Sequence, residues 1–200
     1  VINGFTFNLG FYILLLYLAF HLQRVLGFSP WHVGLVIGLR VLSQQGLFLV
    51  GGTLGDYLGY KRLILFGCLV RVLGFALLGV AQNLPLLLLG AFLTGFAGAL
   101  FTPSSNAYLA YEAPDQVRRD RIFAMQNWMS EAGMFLGPLL GISLVALSFT
   151  WVGLSAALLF FVLFIIQWRF LPVLSDQPKR VSAQQRFWHQ WKSMFKNQRF

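Results

Sequence analysis

Charged side chains are scarce in this chain. They make up 10% of its 200 residues, whereas a soluble domain carries about 25%. Hydrophobic residues make up 58%, and a soluble chain of this length could not bury so much apolar surface. The scarcity of charge therefore excludes an ordinary soluble domain and indicates a protein whose main solvent is the lipid bilayer.

Cysteine, histidine and acidic residues are also few. Cys68 is the single cysteine, which excludes an intrachain disulfide. His21, His32 and His189 share no metal-ligand spacing, so we expect neither a metal site nor a bound cofactor. Basic residues outnumber acidic ones by 15 to 6. They lie between long apolar runs rather than along one soluble face, which argues against a nucleic-acid partner.

Long apolar runs make up most of the sequence. A membrane-spanning helix needs about 20 mostly apolar residues. Six segments meet this requirement: 1–22, 31–54, 63–81, 84–111, 122–147 and 151–171. They lack the two-residue alternation of a membrane barrel, so we predict an all-α bundle of six spanning helices over residues 1–172. Val1 already lies within an apolar run with no charged segment before it, so we interpret the chain as a fragment.

The connections between these runs alternate in charge. Basic residues crowd the joints 55–62 and 112–121 and the region after the sixth run, while the opposite joints 23–30, 82–83 and 148–150 carry only Arg24. The positive-inside rule therefore predicts that both ends of the chain are cytoplasmic. Because the outer joints are short, we expect runs 1 and 2, 3 and 4, and 5 and 6 to be antiparallel neighbours. The crowded basic residues are Lys61, Arg62, Arg118, Arg119, Arg121, Arg169, Lys179, Arg180, Arg186, Lys192, Lys196 and Arg199.

Residues 173–200 differ in composition from the rest. Aromatic and apolar residues recur there at helical spacing, and the basic residues fall largely elsewhere. The pattern predicts an amphipathic helix on the inner membrane surface, and the alternative is a disordered linker. The apolar positions are Phe187, Trp188, Trp191, Met194 and Phe195.

The joint after the second run carries the most specific motif. It reads Gly52-x-Leu54-x-Asp56-x-x-Gly59-x-Lys61-Arg62. Gly59 is suited to a positive φ in a tight turn. This spacing resembles the signature loop between helices 2 and 3 of the major facilitator superfamily, where the loop gates rocking between two six-helix halves. The alternative is a charged turn that only orients the helices.

The resemblance implies a fold and a partner. The chain would be the N-terminal half of a twelve-helix transporter built from 3+3 inverted repeats, and 173–200 would link it to a C-terminal six-helix half. The fifth run reads Gly133-x-x-x-Gly137-Pro138-x-x-Gly141, which is similar to the antiporter signature of the same superfamily. That signature usually has a second glycine where Ile142 stands, and the alternative is ordinary close packing.

A narrower resemblance is to bacterial drug/proton antiporters of the multidrug-resistance protein H type. It is carried by the stretches 38–40 and 44–46, by Arg71, and by 98–103. It implies a multi-pass protein of the bacterial inner membrane that exports amphipathic drugs or small organic solutes, with the proton gradient as its energy source. Ala91 stands where many proton-coupled members carry an arginine, so either Arg40 or Arg71 substitutes for it, or the coupling is different or missing. The alternatives are a symporter or facilitator for sugars or another metabolite, and a non-transport membrane protein on the same fold.

Three ionisable groups lie deep within the predicted spans: Arg40, Arg71 and Glu131. A charge at the centre of a bilayer costs at least about 2.5–3.5 kcal/mol, so each is a candidate for proton coupling. Glu131 is the strongest, because a lone carboxylate there must be paired, solvated or protonated. The alternative is an ion pair between Glu131 and one of the two arginines.

Uncharged polar residues share helix faces with these groups. Gln44 follows Arg40 by one turn, and Asn8 precedes Tyr12 by one turn. Asn127 and Ser130 share a face of the fifth run with Glu131, away from the glycines. We therefore predict a substrate cavity lined by Asn8, Tyr12, Gln44, Asn127 and Ser130.

A polar cavity alone does not identify a transporter. An intramembrane protease would need a Ser/His pair or paired aspartates within the spans, and a channel would need a repeated filter. The sequence shows no such catalytic pair, so we expect no enzymatic activity. It also shows no repeated filter, which argues against a channel.

Overall fold

The computed structural model describes residues 2–113 and 115–172, and in that part of the chain every regular element is helical. A π-helical turn, His21–Val25, continues the first helix. The α-helices are α1 Ile2–Phe20, α2 Pro30–Gly46, α3 Phe48–Leu58, α4 Tyr60–Val80, α5 Leu84–Glu112, α6 Gln116–Val145 and α7 Phe149–Phe170. The predicted amphipathic helix in 173–200 lies outside the described residues.

The helices form six candidate membrane spans. Five are long and apolar enough to cross a bilayer, and a sixth results if α2 and α3 count as one span bent by 45°. We number them in chain order: span 1 is Asn3–Val25, span 2 is α2 with α3, and α4 to α7 are spans 3 to 6. The predicted six-helix bundle is confirmed.

The bend in span 2 lies at Leu47, and nearby residues explain it. The Ser43 hydroxyl donates to the Arg40 carbonyl at 2.9 Å, which competes with the helix's own hydrogen bonds. Gly46 follows within the same turn, and Gly/Ser combinations are common causes of kinks. The predicted single helix over 31–54 is therefore two helices, and the second ends later, at Leu58.

The inner joints are shorter than predicted. Gly59 alone separates α3 from α4, with φ of 92°, so the predicted joint 55–62 is almost entirely helical. Because a positive φ suits glycine, one residue suffices to reverse the chain, and the predicted conformation of Gly59 is confirmed. In the next inner joint, the Asp115 carboxylate caps α6 by accepting from the Arg118 amide at 2.6 Å.

The predicted neighbours are correct for only one pair. Spans 3 and 4 pack along their length, but spans 1 and 2 hardly touch, and spans 5 and 6 make few contacts. Span 1 instead packs along spans 5 and 6, span 3 packs along spans 4 and 6, and span 2 packs along span 4. A short joint brings two helix ends together, but side-chain size along the helices decides which surfaces meet.

Glycines decide the contact between spans 3 and 6. Gly79 of span 3 and Gly153 of span 6 lie against each other, and a methyl group on Gly79 would be 2.8 Å from the Gly153 Cα. Spans 3 and 4 are the most buried, and span 5 is the least. Large apolar side chains remain exposed on spans 2 and 5, among them Leu42, Leu49, Trp128 and Phe135.

Candidate functional site

The predicted glycine motif of span 5 forms a packing seam against span 1. Gly133, Gly137 and Gly141 are all buried. A methyl group on Gly137 would lie 2.8 Å from the Tyr12 Cβ and 3.1 Å from the Leu9 carbonyl oxygen. Because these contacts involve backbone or Cβ atoms, larger residues would push the helices apart.

The seam also includes the proline of the motif. Pro138 lies inside a continuous helix, and its carbonyl oxygen accepts a hydrogen bond from the Tyr17 hydroxyl at 2.8 Å. The motif therefore fixes span 1 against span 5.

A polar cleft of about 160 Å³ opens between spans 1, 4 and 5. Two phenylalanines, Phe7 and Phe101, form its apolar wall and stack with ring centroids 5.7 Å apart. Among residues 3–113 and 115–172, no ionisable side chain lines it. The remaining side chains in the lining are hydrogen-bonding and uncharged: Asn3, Asn8, Thr102, Ser105, Asn106, Gln126 and Ser130.

A hydrogen-bond network ties four spans together at the end of this cleft. The Asn3 amide of span 1 donates to the Ser105 hydroxyl of span 4 at 3.2 Å. Its carbonyl oxygen accepts from the Gln167 amide of span 6 at 2.7 Å. Gln167 is buried and accepts from the Cys68 thiol of span 3 at 3.7 Å. The network holds one end of the cleft in a fixed arrangement.

The structure brings together two of the five predicted cavity residues. Asn8 and Ser130 both line the cleft. Tyr12 lies instead against Gly137 in the seam, Gln44 pairs with an arginine of its own helix, and Asn127 is exposed on the outer face of span 5. These three lie outside the cleft, because helical spacing shows which residues share a face but not what the face meets, and their contact with substrate stays a prediction.

Several polar residues of the cleft were not predicted. Ser105 and Asn106 come from span 4, and the Asn106 side-chain oxygen accepts from the Gln126 amide of span 5 at 3.2 Å. The available signal was the run Ser104-Ser105-Asn106, three polar residues in succession near the inner end of an apolar helix.

Arg71 is enclosed in the middle of the bundle. It is 2% exposed, and its guanidinium lies 3.8 Å from the centre of the Phe7 ring and 5.0 Å from that of Phe160. One Nη atom donates to the Thr94 carbonyl at 3.4 Å, while Nε and the other Nη have no hydrogen-bond partner. Arg71 therefore does not snorkel to the interface, and aromatic faces supply much of its stabilisation.

Arg40 has a similar environment but is only partly buried. Its guanidinium donates to the Gln44 side-chain oxygen at 2.6 Å and lies 4.1 Å from the centre of the Phe11 ring. Ala91, the position where the family resemblance would imply an arginine, is buried, and it lines the same small recess as Arg40. Span 2 and span 4 thus place the Arg40 guanidinium and the Ala91 methyl group in the same recess.

Glu131 lies midway along α6 and is exposed on the surface of the bundle. It follows Ser130, which lines the cleft. Within residues 3–113 and 115–172, neither arginine of the bundle interior forms an ion pair with it, because both are held on aromatic rings of span 1. The alternative ion pair is therefore wrong for the described residues.

The predicted gating motif lies where adjacent ends of spans 2, 3 and 4 meet. The Tyr60 hydroxyl donates to Asp56, and the Tyr60 ring is buried against Tyr111 of span 4. Lys61 is half-buried and Arg62 is exposed.

Glycines bring the end of span 2 close to span 4. Gly52 faces Pro103, and Gly55 faces Ser104. The motif therefore lies at one end of the bundle, where three spans meet.

Comparison with known proteins places this geometry in a family. The family model described as Major Facilitator Superfamily matches residues 1–200. The chain is 52% identical over 172 residues to an uncharacterised MFS-type transporter of Mycobacterium tuberculosis, covering 86% of this chain and 41% of that protein. It is 35% identical over 161 residues to the multidrug resistance protein MdtH of Salmonella typhimurium, covering 80% of this chain and 40% of that protein. The chain spans about two fifths of the length of these relatives.

Proposed function

This chain belongs to the major facilitator superfamily of membrane transporters, and we propose that the full-length protein exports small amphipathic molecules in exchange for protons. The observation that carries the proposal is Glu131. It is an acidic side chain at the middle of span 5, on a face that the other five spans leave uncovered. The similarity to a multidrug resistance protein supports the choice of substrate class.

The polar cleft is the proposed contribution of this half to the substrate pathway. A small-molecule site usually encloses about 300–1,000 Å³, so a cleft of about 160 Å³ would form only part of such a site. We propose that a C-terminal six-helix half covers the cleft and supplies the remaining wall. The exposed apolar side chains of spans 2 and 5, such as Leu49 and Trp128, would lie in that interface.

Glu131 is the proposed proton carrier. In one state of the transporter the carboxylate would face water and release its proton. In the other it would face a drier interface, where the protonated form is favoured. Since Glu131 has no ion-pair partner within the described residues, no salt bridge there opposes this cycle.

The joint around Gly59 is the proposed switch on the inner side. The Asp56–Tyr60 contact and the Tyr60–Tyr111 pair join the ends of spans 2, 3 and 4, so these ends would move together when the two halves rock. We propose that both ends of the chain are cytoplasmic, on the basis of the positive joints. We propose a bacterial inner membrane as the location, on the basis of the similarity to bacterial transporters.

Transport by the full-length protein in liposomes tests the proposal. With an imposed pH gradient, the wild-type protein should move an amphipathic substrate against its concentration gradient. Glu131→Gln keeps the side-chain shape but cannot release a proton. It should lose uphill transport and retain exchange down a substrate gradient.

A second acidic residue serves as the control. Asp120→Asn changes an exposed carboxylate near the start of the same helix and should leave uphill transport intact. Uphill transport by Glu131→Gln at the wild-type rate would refute the coupling role. Accumulation in the direction of proton flow would support the symporter alternative instead.

A further inference from the structure

Two guanidinium groups lie one helical turn apart along span 1. Phe7 and Phe11 are separated by four residues, so their side chains project from the same face. The Arg71 guanidinium of span 3 lies 3.8 Å from the centre of the Phe7 ring. The Arg40 guanidinium of span 2 lies 4.1 Å from the centre of the Phe11 ring. The middle of the bundle therefore holds two positive charges stacked on consecutive rings of one helix.

These charges are not neutralised within residues 3–113 and 115–172. Arg71 keeps two nitrogen atoms without hydrogen-bond partners, and the hydrogen-bond acceptors of both arginines are uncharged: the Thr94 carbonyl and the Gln44 side chain. A buried guanidinium normally has a carboxylate or phosphate partner. A cation–π contact contributes about 0.5–2 kcal/mol, which offsets only part of the cost of burial.

Gly98 brings Arg71 close to Gln44, the hydrogen-bond partner of Arg40. A methyl group on Gly98 would lie 2.7 Å from one Nη of Arg71 and 3.0 Å from the Cδ of Gln44, the residue that accepts from Arg40. The lack of a side chain at Gly98 thus leaves space in which the positive potentials of both groups add.

Only one of the two guanidinium groups is accessible. Arg71 is 2% exposed and lies behind Phe7, which lines the polar cleft. Arg40 is partly buried and borders a recess of about 10 Å³ lined by apolar side chains, including Leu15, Val36 and Ile37. A recess of this size has room for about one water-sized group, so it could take the oxygen of an anionic head rather than a whole ligand.

We propose that the transported molecules are organic oxyanions, with a carboxylate, sulfonate or phosphate head bound by Arg40 and an apolar body beside it. The fork of N–H groups on Arg40 suits a planar or tetrahedral oxyanion. Arg71 acts as a positioning residue, since its charge raises the positive potential without touching the ligand. This inference rests on the proposed transport function and narrows its substrate class.

Two probes of fixed and opposite charge test the inference: naphthalene sulfonate and naphthylmethyl trimethylammonium. Their binding to the purified full-length protein is measured by equilibrium titration, and their transport is measured in liposomes. The variants are Arg40→Gln, which removes the charge, and Arg40→Lys, which keeps it. Arg24→Gln, at an exposed arginine of the outer turn, is the matched control.

The wild-type protein should bind the sulfonate more tightly than the ammonium probe. Arg40→Gln should weaken sulfonate binding by about tenfold or more, the size expected for a lost charge-assisted hydrogen bond, with little change for the ammonium probe. The affinity of Arg40→Lys for the sulfonate should fall between those of Arg40→Gln and wild type. The affinity of Arg24→Gln should match that of wild type. If Arg40→Gln does not fold, the sulfonate affinities of Arg40→Lys and wild type still show whether Arg40 binds the ligand.

Other results would overturn the inference. Tighter wild-type binding of the ammonium probe, or equal weakening of both probes by Arg40→Gln, would show that Arg40 pairs with an acid of the protein and not with the ligand. Uphill export of the ammonium probe without sulfonate binding would refute the inference and leave the transport proposal intact. Arg40-dependent sulfonate binding without uphill transport would support the inference and refute the transport proposal.

Discussion

Replacing Gly137 by alanine tests the packing seam between spans 1 and 5. The new methyl group would lie 2.8 Å from the Tyr12 Cβ, about 0.6 Å short of the 3.4 Å at which ordinary contacts begin. The Tyr12 Cβ is fixed to its backbone, and the Leu9 carbonyl oxygen and Ile13 amide nitrogen lie at 3.1 and 3.2 Å. A rotamer change therefore cannot relieve the contact, and the two helices must separate.

The expected cost follows from overpacking. Forcing extra atoms into a well-packed contact costs about 1–3 kcal/mol. Gly34→Ala is the matched control, since no atom lies within 4 Å of a methyl group there. Gly34 is also helical, so alanine there should be neutral or stabilise by about 0.5–1 kcal/mol.

The assay is reversible unfolding of the full-length protein in mixed detergent. Gly137→Ala should lower the free energy of unfolding, and Gly34→Ala should leave it unchanged or raise it. If Gly137→Ala is as stable as Gly34→Ala, spans 1 and 5 do not meet through the glycine face as described.

Three further predictions concern the joints and the network. Gly59→Ala places a side chain at a φ of 92° and should lower the free energy of unfolding by about 1–3 kcal/mol, as measured in detergent. In a Cys68→Ala background, a cysteine at exposed Val117 should resist a membrane-impermeant thiol reagent in intact cells, and one at exposed Trp31 should react; the reverse pattern would contradict the orientation. Gln167→Leu removes a buried amide that bonds to spans 1 and 3, and should cost about 1–3 kcal/mol of unfolding free energy; an unchanged value would contradict the network.

The sequence was sufficient for the features that depend on local chemistry. Six apolar runs predicted the spans because a bilayer requires helices of that length and composition. Gly59 and the charges around it predicted the turn between spans 2 and 3, because few residues tolerate a positive φ. These signals are local, and the structure confirms them.

Features that depend on contacts between different spans could not be predicted from the sequence. The bend at Leu47 arises from a serine hydroxyl that competes with the helix, which composition alone does not reveal. Arg71 stacks on Phe7, which is far from it in sequence. Because the chain contains 21 phenylalanines, the sequence does not show which of them stacks on Arg71. Only Asn8 and Ser130 of the polar cleft were predicted, because the polar residues of span 4 lie within an otherwise apolar helix.

The central claim is that the cleft between spans 1, 4 and 5 belongs to the substrate pathway, and the accessibility of Ser130 tests it most directly. In the full-length protein with Cys68→Ala, Ser130→Cys should react with a small water-soluble thiol reagent, and bound substrate should slow that reaction. Ser143→Cys, exposed on the same helix but outside the cleft, is the control, and substrate should not protect it. Equal reaction rates at Ser130→Cys with and without saturating substrate would contradict the claim.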